Sequence, residues 1–362
     1  MILYQIRFYA VFITALVVVI VLSVAPIVHA QVKIQGIPVA LEHINTPMVY
    51  NATLIDYREE MRKLVQSISE YGKLTKPDFV VVAKNGLDLL IKRNIYNDKI
   101  TPKARAYMRA IDGIMQESMF FSLARGGKLF GSPQTLHIQT KMLHLADYAK
   151  KSGLKVLTHD FGNGNEAIDN VRKLANDRGF LSLMSNVPSQ NIRNLPSYPS
   201  RPPKENSNNI ISFGMIQNYA VIRDSASFGL ESEFALKMHD TNYDALLVEV
   251  FHGDVPLSRQ AVETLKYKKL GSRRMVLAYM DVGRAASYHY YWGNNWTTGY
   301  PSWIEEPLNS EPDHYRVKFW DKDWQNIITG NENSYLYGII AQGFDGVVID
   351  GADSYKYYEG IN

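Results

Sequence analysis

Two segments of the chain share a pattern that would place carboxylates for chemistry. Ile111-Asp112-Gly113-Ile114-Met115-Gln116-Glu117 and Phe344-Asp345-Gly346-Val347-Val348-Ile349-Asp350 each run from an Asp-Gly step through apolar residues to a terminal acid. Two carboxyl groups held at strand ends can divide a bond cleavage between a proton donor and an attacking or water-activating base. The same acids could instead cap a following helix or pair with a basic neighbour. Asp160, Asn85 and Asp281 also close or follow apolar runs, and Asp353 and Tyr355 stand just beyond Asp350, where they could touch a ligand or orient that carboxylate. Asp112 and Asp345, at the other end of their runs, read as turn or bottom-face residues.

These candidates need a scaffold that brings strand ends together. Apolar, β-branched runs fall at Asp78–Ala83, Ala110–Met115, Lys155–Thr158, Gly179–Met184, Ile210–Ile216, Asp244–Val250, Met275–Tyr279 and Phe344–Ile349. Between them lie helical patterns such as Asp56–Leu74, Gln139–Lys151, Ala167–Asp177 and Leu257–Lys269. Runs apolar on both faces suit a parallel sheet covered by helices. Eight such strands predict an α/β fold, a (β/α)8 TIM barrel, in which every carboxyl end converges on one face. A doubly wound sheet is the other architecture, but Gly126-Gly127 and Gly162-Asn163-Gly164 lack the spacing of a dinucleotide or phosphate loop.

Composition narrows the chemistry. With no cysteine among 362 residues, disulfides, thiolate catalysis and cysteine-held metals are excluded. The 39 basic and 36 acidic residues are mixed along the chain and leave only +3, which is no footprint for nucleic acid. None of the nine histidines forms a metal-binding pair by spacing, so neither metal nor cofactor is expected. Arg7 precedes a run from Phe8 to Ala25 without charge, and Val28-His29-Ala30-Gln31 resembles a cleavage site. Residues 1–30 therefore read as a secretory signal or an uncleaved membrane anchor, with the remainder outside the cytoplasm and the anchor its sole link to a membrane. Residues 31–362 read as one domain in halves of about 50–187 and 209–362. The Pro-, Ser- and Asn-rich stretch 188–208 joins them across the outside or bottom of the barrel, because four strands alone would expose a hydrophobic edge. Asn51-Ala52-Thr53 and Asn295-Trp296-Thr297 are glycosylation sequons.

Several stretches resemble the extracellular TIM-barrel proteins related to endo-α-1,4-polygalactosaminidases, the glycoside-hydrolase family 114-like group. They are Pro77 to Gly86, Tyr107 to Phe121, Lys155 to Phe161, Thr241 to Val250, Met275 to Trp292, Tyr315 to Gln325 and Gly343 to Tyr355, within residues 55–358. The two halves stand in the reverse of the family order, as a circular permutation would leave them. The resemblance implies a secreted, monomeric hydrolase of an amino-sugar polysaccharide, with Asp350 as nucleophile and Glu117 as general acid/base of a retaining mechanism. Their carboxyl groups should then lie about 5–5.5 Å apart. It further implies substrate contacts from Asp353, Tyr355, Asp160, Asn85, Asp281 and Tyr279.

All five tryptophans fall between residues 292 and 324, interleaved with tyrosines. Trp292 and Trp296 are expected to offer faces to sugar rings, whereas Trp320 and Trp324, four apart after Asp321, suit helix packing. Two departures bear on the substrate. Asp281-Val282-Gly283-Arg284-Ala285-Ala286 replaces two family acids and introduces a base, and Lys84 stands where an amide is usual. A catalytically silent carbohydrate-binding barrel and an extracellular interaction scaffold are the alternatives.

Overall fold

The computed structural model describes residues 55–93, 100–123 and 131–361. The leader, the Asn51 sequon and Gly126-Gly127 lie outside them. Asp56 starts the first helix, its side chain accepting from the Glu59 amide at 3.0 Å. Met61, Leu64, Val65 and Ile68 recur on one face of that helix and are buried, so amphipathic spacing and an N-cap suffice to explain it.

The main sheet comprises β1 (Val80–Lys84), β2 (Gly113–Glu117), β3 (Lys155–Phe161), β4 (Leu181–Ser185), β5 (Tyr219–Ile222), β6 (Ala245–Val248), β7 (Met275–Asp281) and β8 (Gly346–Asp350). All its ladders are parallel, in the order β4-β3-β2-β1-β8-β7-β6-β5. The first and last strands are thus hydrogen-bonded neighbours, and the sheet curls into a nearly closed TIM-like barrel whose seam lies between β4 and β5. The described helices are α1 (Tyr57–Thr75), α2 (Arg105–Ala110), α3 (Leu136–Lys151), α4 (Asn165–Arg178), α5 (Glu231–His239), α6 (Arg259–Leu265), α7 (Lys322–Ile328), α8 (Tyr335–Gln342) and α9 (Tyr355–Tyr358). None of them is long and apolar enough to cross a membrane.

Strand alternation divides the core in two. Val80, Val82, Met115, Leu157, Val221, Leu247 and Val348 fill the lumen. Val81, Ala83, Ile114, Val156, Ala220, Leu246 and Val347 face the helices. Both faces being dry explains why the strands read as unbroken apolar runs.

The matching Asp-Gly steps sit at the bottom. Asp112 accepts from the Val81 amide at 2.8 Å, and Asp345 from the Val276 amide at 3.0 Å, so each acid satisfies the first amides of a neighbouring strand. The glycines that follow admit close neighbours: a Cβ on Gly346 would stand 2.2 Å from the Val80 carbonyl oxygen, and one on Gly113 2.7 Å from the Phe213 ring.

Phe213 marks a correction. Ile210–Ile216 is not a strand; it contains a 3-10 turn, Phe213–Met215, and buries Ile210, Phe213 and Ile216 as the floor of the lumen. Those three residues are spaced by three, a turn-like period rather than alternation. The fifth strand follows at Tyr219–Ile222 and ends at Arg223 instead of Gln217.

The proline-rich stretch is tied along its length. Tyr198 donates to Asp169 of α4, Lys204 to Asn176, and Asn206 to Asp244 at the foot of β6. At its start, Ser189, Gln190 and Asn191 lie at the carboxyl end of the barrel, as the site below shows.

Candidate active site

The same alternation that fills the lumen dictates what crowns it. Two residues beyond the apolar layer, each strand presents or leads into one polar side chain: Lys84, Glu117, His159, Ser185, Arg223, Glu249, Asp281 and Asp350. Seven of these eight are ionisable groups within or at the edge of a dry core, so they must neutralise one another.

They do so as a connected ring. Lys84 Nζ lies 3.1 Å from Asp350 Oδ1 and 3.2 Å from Glu117 Oε1. The nearest oxygens of the two predicted catalytic carboxylates are therefore separated by at most those two contacts in sequence. Arg223 binds Asp350 Oδ2 at 3.0 Å and Glu249 Oε2 at 3.1 Å, and lays its guanidinium 4.0 Å above the Tyr279 ring. Arg284 is held by Asp281 and Glu311 and approaches Asp350 at 3.9 Å.

Burial alone would push the Asp350 carboxyl up, but Lys84, Arg223 and Arg284 outweigh it and hold the group well below the usual carboxylate range. Glu117 is lowered in the same way, against its burial, with Lys84 the strongest influence. Glu249 moves the other way: burial raises it despite Arg223. The site thus contains one firmly ionised carboxylate, Asp350, flanked by acids of different proton affinity, the separation of roles that acid–base chemistry requires.

Asn85 holds Glu117 in place. Its amide nitrogen donates to Glu117 Oε2 at 3.2 Å, and its carbonyl oxygen accepts from the Glu117 backbone amide at 3.0 Å. Asn85 and Ser118 are two of three non-glycine residues with positive φ among the described residues, at 57° and 56°. Strain on both flanks of one carboxylate is a mark of a position fixed for function.

Other predicted contacts lie elsewhere. Asp160 has the wrong parity: it points away from the lumen, is fully buried, and accepts from the Phe120 and Phe121 amides at 2.6 and 2.9 Å. It anchors the loop after Glu117 and does not face the cleft. Tyr355 is also fully buried, with Arg58 4.8 Å above its ring. Trp292 and Trp296 stack on each other, on Tyr315 and on Trp303. They pack on the three-stranded sheet of Arg284–Ala286, Ile304–Leu308 and Glu311–Val317 through Tyr315 and beside Trp303. Trp324 is buried as expected, in a helix capped by Asp321. Asp353, half-buried, is paired with Lys356 at 3.4 Å.

The cleft above the ring has a volume of about 420 Å³ and is walled by Tyr279, Asp281, Tyr288, His289, Tyr291 and Tyr335, with Gln190 and Asn191 of the proline-rich stretch on the rim. Arg223 and Arg284 line it and reach back to Asp350; Glu249 lines it directly. A cavity of about 580 Å³ at the barrel seam mixes apolar side chains such as Leu183, Met184 and Val221 with amides and hydroxyls, and Arg193 is its one charged residue. The ionisable ring borders the smaller cleft through Arg223, Glu249 and Asp281. Among the described residues no group of three or more His, Asp or Glu side chains is arranged to hold a metal ion.

Sequence reasoning missed Arg223, Glu249, His159 and, in the cleft wall, His289 and Tyr335. Arg223 was hidden by misplacing the fifth strand. Glu249 was visible as the acid near the end of Asp244–Val250, at the alternation of Ala245 and Leu247.

Asp160 carries a pH signature. Burial pushes its carboxyl up to about 7, against the amides that bond it. A carboxyl raised above its unfolded value gives full stability below that unfolded value, near 3.8, and loses it as pH rises through the folded one. Asp160→Asn keeps the acceptor for Phe120 and Phe121 but cannot ionise. Its melting temperature relative to wild type is expected to rise between pH 4 and pH 8, corresponding to roughly 2–4 kcal/mol; a pH-independent difference would refute the buried acid.

No protein-family profile matches the chain. An uncharacterized protein of Thermotoga maritima is 38% identical over 87 residues, 24% of this chain and 26% of that protein. An uncharacterized protein of Methanocaldococcus jannaschii is 31% identical over 120 residues, 33% of each. One of Deinococcus radiodurans is 32% identical over 126 residues, 34% of this chain and 37% of its own length. The matches thus span about a quarter to little more than a third of these relatives.

Proposed function

We propose that the chain is a glycoside hydrolase acting on an amino-sugar-containing polysaccharide, as its resemblance to the polygalactosaminidase-like group implies. Asp350 attacks the anomeric carbon as the glycosidic bond breaks, and Glu117 gives its proton to the leaving oxygen. Water then returns a proton to Glu117 and releases the sugar from Asp350. The observation that carries this reading is the meeting of both carboxylates on one ammonium, Lys84, at the carboxyl end of the barrel.

The cleft wall supports the substrate class. Asp224, Glu249, Asp254, Asp281 and Glu311 line it against two arginines, and Arg284 is held by Asp281 and Glu311. The cleft therefore favours a cationic amino sugar despite the base that replaces a family acid. The seam between β4 and β5, with β1 paired to β8, supports the permuted order. Secretion follows from the leader read in residues 1–30.

A second reading, a silent carbohydrate-binding barrel, is favoured by the same lysine, because Lys84 ties up both carboxylates. Reducing-end release from galactosamine and N-acetylgalactosamine polymers separates the two. Wild type is expected to release ends, and Glu117→Gln and Asp350→Asn to fall by at least about 10³-fold. Saturable binding without release by any of the three would favour the silent barrel.

A further inference from the structure

His159 occupies the ring beside Glu117, and its hydrogen bonds determine which nitrogen carries the proton. Nε2 lies 2.9 Å from Ser185 Oγ, and Ser185 donates its own hydrogen to the Val187 carbonyl at 2.7 Å. A hydroxyl has one hydrogen, and a carbonyl can only accept. Nε2 is therefore the donor to Ser185, and Nδ1 presents a lone pair.

That lone pair faces Glu117 Oε1 at 3.9 Å. Both atoms are buried and neither makes an aligned hydrogen bond, although Oε1 also lies 3.2 Å from the Lys84 ammonium as an ion pair. With Glu117 ionised, two acceptors confront each other across a gap that is closed to solvent. One proton resolves this: placed on Oε1, and with a small rotation of the Glu117 side chain, it bonds to Nδ1 and satisfies both atoms. We propose that Glu117 and His159 hold a single proton between them, and that this proton is the one Glu117 delivers to the leaving group.

The proposal rests on the glycosidase reading and adds a positioning residue to it. As the glycosidic C–O bond breaks, the proton passes from Oε1 to the leaving oxygen; it is restored from water in the second half of the reaction, and His159 stays neutral throughout. Other groups act on the pair from every side. Lys84 of β1 and the Ser189 hydroxyl favour the ionised carboxylate, Asp350 of β8 favours the protonated one, Lys84 and Arg223 after β5 keep the imidazole neutral, and Asn85 binds the far oxygen, Oε2. Burial keeps the imidazole neutral, down to about 4, so it is available as an acceptor across the neutral range. A charged imidazole would join Lys84 in lowering Glu117, whereas the neutral imidazole, accepting at Nδ1, opposes Lys84 and leaves Glu117 a proton to donate.

Two measurements on the full-length chain test this. The first is nitrogen-15 NMR of labelled histidine. His159 should show a protonated Nε2 and a Nδ1 that accepts a hydrogen bond, and the Nδ1 resonance should move to an unbonded position in Glu117→Ala. Glu117→Asp, which withdraws the carboxyl by one methylene, replaces it if the alanine variant does not fold. A protonated Nδ1, or a Nδ1 resonance indifferent to both variants, would overturn the proposal. The second measurement is kinetic. His159→Gln should lose about 10²-fold on a galactosamine polymer, whose leaving group needs the proton, and clearly less on a 2,4-dinitrophenyl galactosaminide, whose leaving group does not. Equal losses on both substrates would mean that His159 supports the fold and not the acid. If no substrate is cleaved by wild type while the NMR signature is present, the glycosidase reading fails and the shared proton stands.

Discussion

Asp350→Asn is expected to remove both turnover and a large part of the stability of the barrel. On the proposed mechanism the activity loss, at least about 10³-fold, follows from replacing the nucleophile by an amide that cannot form the glycosyl ester. The stability loss follows from the ring. Asp350 is nearly buried and receives Lys84 and Arg223 at 3.1 and 3.0 Å, with Arg284 at 3.9 Å. An amide gives those cations a dipole in place of a charge. Removing one partner from a buried ion network costs about 3–5 kcal/mol, because the remaining charges stay desolvated. Glu117 and Glu249 retain Lys84 and Arg223 in part, so the lower end of that range is expected. The pH dependence has a definite sign. A carboxyl held below its unfolded value contributes stability above that unfolded value, near 3.8, and loses it as pH falls through the folded one. Urea midpoints should therefore separate wild type from Asp350→Asn by a constant gap from pH 7 down to about pH 4, a gap that begins to narrow only below the unfolded value. Adding Lys84→Met to Asp350→Asn should restore some of the loss, since it removes one of the stranded charges. Equal midpoints at pH 7 would show that the ring does not stabilise the fold.

Much of this architecture was legible in the sequence for one physical reason. A strand dry on both faces must be apolar throughout, so a polar residue within it or just beyond it marks where the lumen opens. Glu117, Asp281 and Asp350 were found in that way. The Asp-Gly steps were equally readable as bottom-face devices, because an acid that accepts neighbouring strand amides and a glycine that admits a neighbouring group belong where strands begin.

What failed was parity and period. Asp160 ends an apolar run as convincingly as Glu117 does, yet it lies one residue beyond His159, and in a strand of period two that places it on the opposite face. Counting from Leu157 of the lumen would have selected His159. In Ile210–Ile216 the apolar composition suggested a strand, while the spacing of three between Ile210, Phe213 and Ile216 belongs to a turn that seals the barrel. That error hid Arg223, which follows Val221 by two. The tryptophans misled for a different reason. An aromatic cluster in a long insertion is as useful to a small sheet in need of a core as to a ligand, and composition cannot separate the two. Tyr288 and Tyr335 wall the cleft instead, from an insertion and a helix whose meeting is a tertiary fact.

Lys84→Met is expected to change the chemistry of the site more than any substitution outside the catalytic pair. Lys84 is nearly buried and continues the lumen series of Val80 and Val82, so its ammonium has no solvent to turn to; Asp350 and Glu117 keep it charged against its burial. Methionine has similar length and no charge, and packs where the lysine stem lies. Without the ammonium, Asp350 still has Arg223 and Arg284, whereas Glu117 loses the strongest influence that lowers its proton affinity. Two carboxylates this close cannot both ionise cheaply, and the proton goes to the one with fewer cations. Glu117 should therefore bind its proton to higher pH, and the alkaline limb of the pH–rate profile should move up by about one unit or more. Stability should respond in the matching sense. Once the folded Glu117 carboxyl rises above its unfolded value, the variant loses stability as pH increases through that folded value, so its deficit against wild type should grow from pH 4 to pH 8, to about 3–5 kcal/mol. An alkaline limb that stays in place would show that Lys84 does not govern the acid. A wild type that cleaves nothing beside a Lys84→Met variant that does would identify this lysine as the residue that silences the barrel.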